Sequence, residues 1–293
     1  SSAASDVYKR QGYRAAGVNR VSLGVQAFQT ELLSACGRTH TREDVDSAIA
    51  LIQQVGLTNF SLDLISGLPH QTMAQWQESL QTAIGLAPTH ISVYDLTVEP
   101  GTAFDRWYEA GRQPLPTDVA TAQMYRLAQQ TLTAAGYRHY ELSNYARPGF
   151  ECRHNRVYWE NLSYYGFGMG AASYWQGQRF TRPSKRRDYY AWVQEFRQSG
   201  QIDCPVTPPA EILLDTLMLG LRLSEGLNLE QLRVEFGAEA IAQVLDCVEP
   251  HIQQGWVELI HEPTQMATQM RLHDPEGFLF SNVVLSDLFK ALT

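Results

Sequence analysis

Between Gly17 and Tyr145, short aliphatic and β-branched runs alternate with longer segments whose apolar residues fall at helical spacing. Asn19-Arg20-Val21-Ser22-Leu23-Gly24-Val25 reads as a buried strand. Thr41 with Asp44 forms a capping-box pattern, and Val45, Ala48, Ile49, Ile52 and Val55 follow at helical spacing as far as Gly56, a C-terminal cap. The pattern then repeats. A strand is predicted from Phe60 to Ile65, and a helix from Met73 to Leu86 is closed by Pro88. Further on come a strand from Ile91 to Leu96, a helix from Thr117 to Ala135 ended by Gly136, and a strand from Tyr137 to Leu142. Strands alternating with helices predict parallel βαβ units with right-handed crossovers. Four strands and three connecting helices are legible, too few for a closed eight-stranded barrel.

Beyond Pro208 the pattern becomes helical. Helices are predicted from Ala210 to Leu223, Leu229 to Phe236 and Ala238 to about Ile252. Two short strands follow, Trp256 to Ile260 and Gln269 to Leu272, then a helix from Phe278 to Leu292. Three helices, a small hairpin and a last helix suggest a winged-helix-like module. Its middle helix carries only Arg233 as a cation, against Glu230 and Glu235, so no nucleic-acid partner is expected.

The 293 residues carry a net charge of −8, which argues against general phosphate-backbone binding. One basic stretch interrupts the acidity: Arg179, Arg182, Lys185, Arg186 and Arg187. It reads either as a solvated surface loop or as a seat for the carboxylates of a ligand. The opening residues lack the apolar core of a signal peptide and no apolar run reaches membrane-spanning length, so a cytoplasmic protein is expected. Cys36, Cys152, Cys204 and Cys247 are far apart, with no metal-site or dithiol spacing.

The densest chemistry lies at Cys152-Arg153-His154-Asn155-Arg156-Val157-Tyr158-Trp159, followed by Gly166, Gly168 and Gly170. In an extended segment Cys152 and His154 would share a face, and either could ligate iron. Asn155 could orient that ligand, and Tyr158 and Trp159 offer apolar rings with polar tips. The alternative is an aromatic packing loop whose histidine bonds a backbone carbonyl. Gln26, Arg38 and Asp63 lie at or just after the C-terminal ends of predicted parallel strands, where α/β sheets bind ligands. An amide, a cationic fork and an anion could hold an amino acid and a ribose; Arg38 and Asp63 could equally be a structural ion pair.

Several motifs occur in the order found in one superfamily. Gly17 to Gln26, Gly37-Arg38-Thr39-His40, Leu62 to Pro69, Glu99-Pro100-Gly101-Thr102 and Glu141 to Tyr145 resemble radical S-adenosylmethionine (SAM) proteins related to oxygen-independent coproporphyrinogen III dehydrogenase. His154-Asn155-x-x-Tyr158-Trp159 is similar to the signature of the HemW-type haem chaperones within it. The resemblance implies that Gln26, Arg38 and Asp63 contact SAM. It also implies that His154, Asn155, Tyr158 and Trp159 contact haem, with His154 the leading iron ligand and Cys152 the runner-up. The implied function is haem binding and delivery to an apo-haemoprotein acceptor; the dehydrogenase activity and a non-functional fragment are the alternatives. Peripheral membrane contact and a homodimer stay open.

One departure bears on mechanism. The superfamily's [4Fe–4S] cluster needs three cysteines in a CxxxCxxC loop, which this sequence lacks. The expectation is therefore an incomplete (β/α) barrel without its first units over residues 12–204 and a helical winged-helix-like domain over 205–293. Residues 1–11, matching neither, read as a scar. The cluster would belong to a longer form, and this chain is expected neither to bind it nor to cleave SAM.

Overall fold

A computed structural model describes residues 11–109, 111–200, 202, 204, 207–262 and 267–292. The proposed scar lies, but for Gln11, outside the described residues. The chain divides into two compact units, residues 1–151 and 152–293. The sequence-based boundary at 204/205 falls inside the second unit, so the 152–159 motif shares a unit with the C-terminal helices.

The first unit contains strands β1 (Val21–Gln26), β2 (Phe60–Ser66), β3 (His90–Asp95), β4 (Arg138–Glu141) and β5 (Asn144–Ala146). Its helices are α1 (Thr30–Ala35), α2 (Arg42–Gln54), α3 (Met73–Gly85), α4 (Ala103–Trp107) and α5 (Asp118–Ala134). The sheet order is β1-β2-β3-β5-β4. β1, β2 and β3 are parallel, as the βαβ pattern predicts. The fourth predicted strand does not join β3 directly. Leu142 and Ser143 turn the chain back, and β5 enters between β3 and β4, antiparallel to both.

The helices start where the predicted caps stand. Thr41 and Asp44 form a reciprocal capping box at α2, and Thr72 and Gln75 do the same at α3. One sheet face packs on the helices: Phe60, Leu62 and Leu64 of β2 and Ile91 and Val93 of β3 join Ile49, Ile52, Trp76, Leu80 and Leu132 in one core. Trp76 is fully buried, its indole N–H donating to the Met124 carbonyl at 2.9 Å. Because side chains alternate across a strand, the other face carries Ser22 and Gly24, Ser61 and Asp63, and His90 and Ser92.

The second unit opens with α6 (Arg153–Trp159), then an antiparallel hairpin of β6 (Ala172–Trp175) and β7 (Gln178–Thr181), and α7 (Arg186–Ser199). Next come α8 (Pro209–Gly220), β8 (Leu227–Asn228), α9 (Leu229–Phe236), α10 (Ala238–Gln253), β9 (Val257–Glu262), β10 (Ala267–Leu272), α11 (Glu276–Leu279) and α12 (Ser281–Leu292). The order β8-β10-β9 completes the winged-helix-like arrangement with a third, two-residue strand. Among the described residues no helix is long and apolar enough to cross a membrane.

Candidate functional site

In the first unit the polar sheet face holds the residues expected to meet SAM. Asp63 sits mid-strand rather than at the end of β2, opposite Gly24 on one side and Ser92 on the other. Both its carboxylate oxygens accept from the Ser22 hydroxyl, at 2.9 and 3.1 Å. A bulge between Gly24 and Gln26 shifts the β1–β2 register, and such a bulge re-aims the side chain that follows. Gln26 is buried and holds a left-handed φ of +66°, a strained conformation for a non-glycine residue. Its Nε2 lies 2.9 Å from where a Cβ on Gly24 would stand, so the glycine, which pairs with Asp63 across β1 and β2, makes room for the Gln26 amide. Arg38 lies on the turn after α1 with its side chain exposed, and it makes no ion pair with Asp63. The structural Arg38–Asp63 pair is thus replaced by the Ser22–Asp63 bond.

The same face carries a buried network that lies outside those motifs. His90, 2% exposed, bonds the Ser61 hydroxyl through Nδ1 at 2.8 Å and the Tyr140 hydroxyl through Nε2 at 2.9 Å. Burial, aided by the Arg20 charge, pushes its pKa down to about 3, so the imidazole is neutral. The Asn144 amide donates to the buried Glu141 carboxylate, while Asn144 Oδ1 is buried without a partner. The signal was present in the sequence: polar residues at period two inside otherwise apolar strands mark one face.

In the second unit the Cys152–Trp159 segment is helical from Arg153 onward, not extended. Cys152 is the N-cap residue and makes no side-chain cap bond. Helical geometry turns residues two apart about 200° from each other and brings residues four apart together. His154 therefore meets Tyr158 rather than Cys152. The rings are edge to face with centroids 5.1 Å apart, and the Tyr158 hydroxyl lies 3.3 Å from Nε2. His154 is exposed and its Nδ1 has no partner among the described residues, so no backbone carbonyl satisfies it. The Asn155 side chain makes no hydrogen bond to the imidazole; Tyr158 takes the orienting place expected of it. Tyr158 packs in turn on Tyr164, 4.7 Å between centroids. Trp159 is half-buried under the Arg222 guanidinium, 5.4 Å from its ring, and its indole N–H is buried without a hydrogen-bond partner.

The basic stretch is not one solvated loop. Arg179 pairs with Asp215 at 3.3 Å, Arg182 is buried, and Arg186 and Arg187 open α7. No group of three metal-ligating His, Cys, Asp or Glu side chains occurs among the described residues, and none of the four cysteines forms a disulfide. With cysteines only at 36, 152, 204 and 247, the residues present do not fit a [4Fe–4S] cluster.

Parallel β1–β3 with a polar face opposite the helices define an α/β protein. The sequence profile described as "Radical SAM superfamily" matches residues 11–83, and "HemN C-terminal domain" matches residues 207–263. The chain superposes with a TM-score of 0.76 on a structure titled "Coproporphyrinogen III oxidase (HemN) from Escherichia coli is a Radical SAM enzyme", covering 96% of this chain and 66% of that one. At 20% identity, this likeness speaks for the fold alone. "Heme chaperone HemW" of Synechocystis sp. is 46% identical over 98% of this chain and 72% of its own length. "Heme chaperone HemW" of Bacillus subtilis is 35% identical over 84% of this chain and 64% of its own length. The chain belongs to the HemW haem-chaperone family of the radical SAM superfamily.

Proposed function

We propose that this chain binds haem on α6, with His154 as the axial iron ligand, and hands it to an apo-haemoprotein. The observation that carries the reading is an exposed imidazole whose one side-chain contact is a long bond to Tyr158. A histidine satisfied in a core has both ring nitrogens committed; here Nδ1 has no partner among the described residues, and Nε2 is held only by a long bond that an iron can displace. Family membership supports the same reading, since the relatives are named as haem chaperones. Cys152 is the less suitable ligand because α6 directs it away from His154. Tyr158 and Trp159 supply ring surface for the porphyrin.

Gln26, Arg38 and Asp63 are proposed to contact SAM in the first unit: the amide and carboxylate beside Gly24, the guanidinium from the turn after α1. The superfamily's radical chemistry depends on a cluster that these cysteines do not fit, so no step is drawn through it. We place the protein in the cytoplasm, where unbridged cysteines are the rule.

The test is haem transfer. Haem-loaded chain is mixed with apomyoglobin, and the acceptor's absorption spectrum is followed against free haem and a His154→Ala variant. The reading expects transfer from the loaded wild-type chain. Tight retention of haem with no transfer to acceptor would leave a haem-binding protein and remove the chaperone role.

A further inference from the structure

Tyr164, Tyr174 and Arg179 form one row across the β6–β7 hairpin. Tyr164 and Tyr174 exchange backbone hydrogen bonds of 2.8 and 3.0 Å, and Tyr174 is the register partner of Arg179. Residues paired in this way present their side chains on the same face. The Arg179 guanidinium stands over the Tyr174 ring at 4.8 Å. Its Nη1 donates to the Tyr164 hydroxyl at 3.2 Å, and its Nη2 to Asn161 Oδ1 and the Asp215 carboxylate, each at 3.3 Å. One side chain of β7 thus ties together the segment between α6 and β6, β6 itself and α8. Arg182 belongs to the other face, buried in a cage of Tyr165, Phe180 and Trp192 and bonded to Ser173, the partner of Phe180.

The Arg179 row ends at the proposed haem ligand. The Tyr164 ring meets the Tyr158 ring at 70° with centroids 4.7 Å apart, and the Tyr158 ring meets the His154 imidazole at 85° with centroids 5.1 Å apart. His154 is exposed, and Tyr158 is its one hydrogen-bond partner among the described residues. The direction of the imidazole is therefore inherited from Tyr158, whose ring is backed by Tyr164, whose hydroxyl is held by Arg179. The edge-to-face contact does not depend on the Tyr158 hydroxyl, so it survives when iron takes Nε2. The Arg179–Asp215 pair is half-exposed, with side chains 38% and 35% accessible, and such a pair adds little to stability. Asp215 instead keeps the planar fork in place, and the fork keeps the phenol in place.

We infer that Arg179 is a positioning residue for haem binding: through Tyr164 and Tyr158 it fixes the direction in which His154 presents its ring to iron. The inference rests on the haem reading above.

The test is a double-mutant cycle of Arg179→Gln and Tyr164→Phe, read by haemin titration and by electron paramagnetic resonance of the ferric complexes, with urea midpoints of the haem-free chains alongside. Each single variant should weaken haem binding roughly two- to tenfold. The double variant should be no weaker than either single one, because both remove the same bond. The resonance lines should broaden in all three variants, since a loosened His154 gives iron a spread of ligand orientations, while the urea midpoints stay close to the wild type's. Should Arg179→Gln fail to fold, Tyr164→Phe, which keeps the ring, decides by affinity and line width. Additive losses in the double variant would overturn the inference, because Arg179 would then act on haem without Tyr164. So would unchanged affinity and line width in the single variants. Lowered urea midpoints with unbroadened lines would overturn it as well, leaving Arg179 a structural brace. Absence of haem binding by the folded wild type, or equal binding by His154→Ala, would remove the haem reading itself, and this inference with it.

Discussion

His154 and Tyr158 stand one helical turn apart on α6, with the phenol hydroxyl 3.3 Å from the imidazole Nε2. The contact gives the histidine a defined orientation and at the same time occupies one ring nitrogen. Iron ligation through Nε2 displaces that hydroxyl. The bond is long, so its net worth is at the lower end of about 0.5–1.5 kcal/mol. Tyr158→Phe is therefore expected to tighten haem binding by roughly two- to fivefold, while Tyr158→Ala weakens it by stripping the ring. Both are read by absorption titration. A loss of affinity in Tyr158→Phe would make the hydroxyl itself a haem contact.

Cys152 is the N-cap residue of α6, makes no side-chain cap bond there, and stands two positions from His154, so it does not share the His154 face. Cys152→Ala should leave haem affinity and the position of the Soret band as in the wild type. A shifted band in that variant would move the iron from nitrogen to sulfur.

His90 makes the first unit's stability pH-dependent. Burial and the Arg20 charge hold its folded pKa at about 3, far below the ordinary 6.5. The unfolded chain thus binds a proton that the folded chain does not. The stabilising contribution is complete above about pH 6.5 and is lost as pH falls toward 3, by up to roughly 1.4 kcal/mol per pH unit. Urea midpoints between pH 7 and pH 4.5 should fall more steeply for the wild type than for His90→Gln. Parallel slopes would show that His90 does not carry the effect.

Of the three glycines after the motif, Gly166 is the one in close contact. A Cβ there would meet the Ala172 carbonyl oxygen at 2.1 Å, whereas at Gly168 it meets nothing, and only its φ of +92° disfavours a side chain. Gly166→Ala should cost about 1–3 kcal/mol by overpacking and disturb the loop bearing Tyr165. Gly168→Ala should cost about 1–2 kcal/mol of backbone strain with haem affinity retained. Thermal melts and haem titrations on the two variants separate these effects.

Much of the architecture was legible because the chain punctuates it. Thr41 with Asp44 opens α2 and Gly56 closes it; α9 begins at Leu229 and ends at Phe236 as its apolar spacing predicts. What escaped was short or locally ambiguous. β5 has three residues and β8 two, too few for a period to register, so the β4–β5 turn and its insertion beside β3 were invisible. α7 begins inside a cationic run, whose charge hid the aromatic spacing of Tyr189, Trp192 and Phe196. The 152–159 segment carries no apolar period, so nothing distinguished a helix from an extended strand, and the His154 partner was misassigned accordingly. The motif itself was readable from residue types alone. Its geometry was not, because which of Cys152 and Tyr158 faces His154 depends on backbone conformation. Arg182 was noticed only as one cation of five; its cage depends on β7, α7 and the glycine-rich loop meeting in space.

The central claim, haem held through His154, is tested most directly by an anaerobic absorption titration of the wild-type chain and His154→Ala with haemin. The account predicts saturation near one haem per wild-type chain, with a Soret band that shifts and an affinity that falls at least tenfold in His154→Ala. Identical spectra and affinities for the two folded proteins would contradict it.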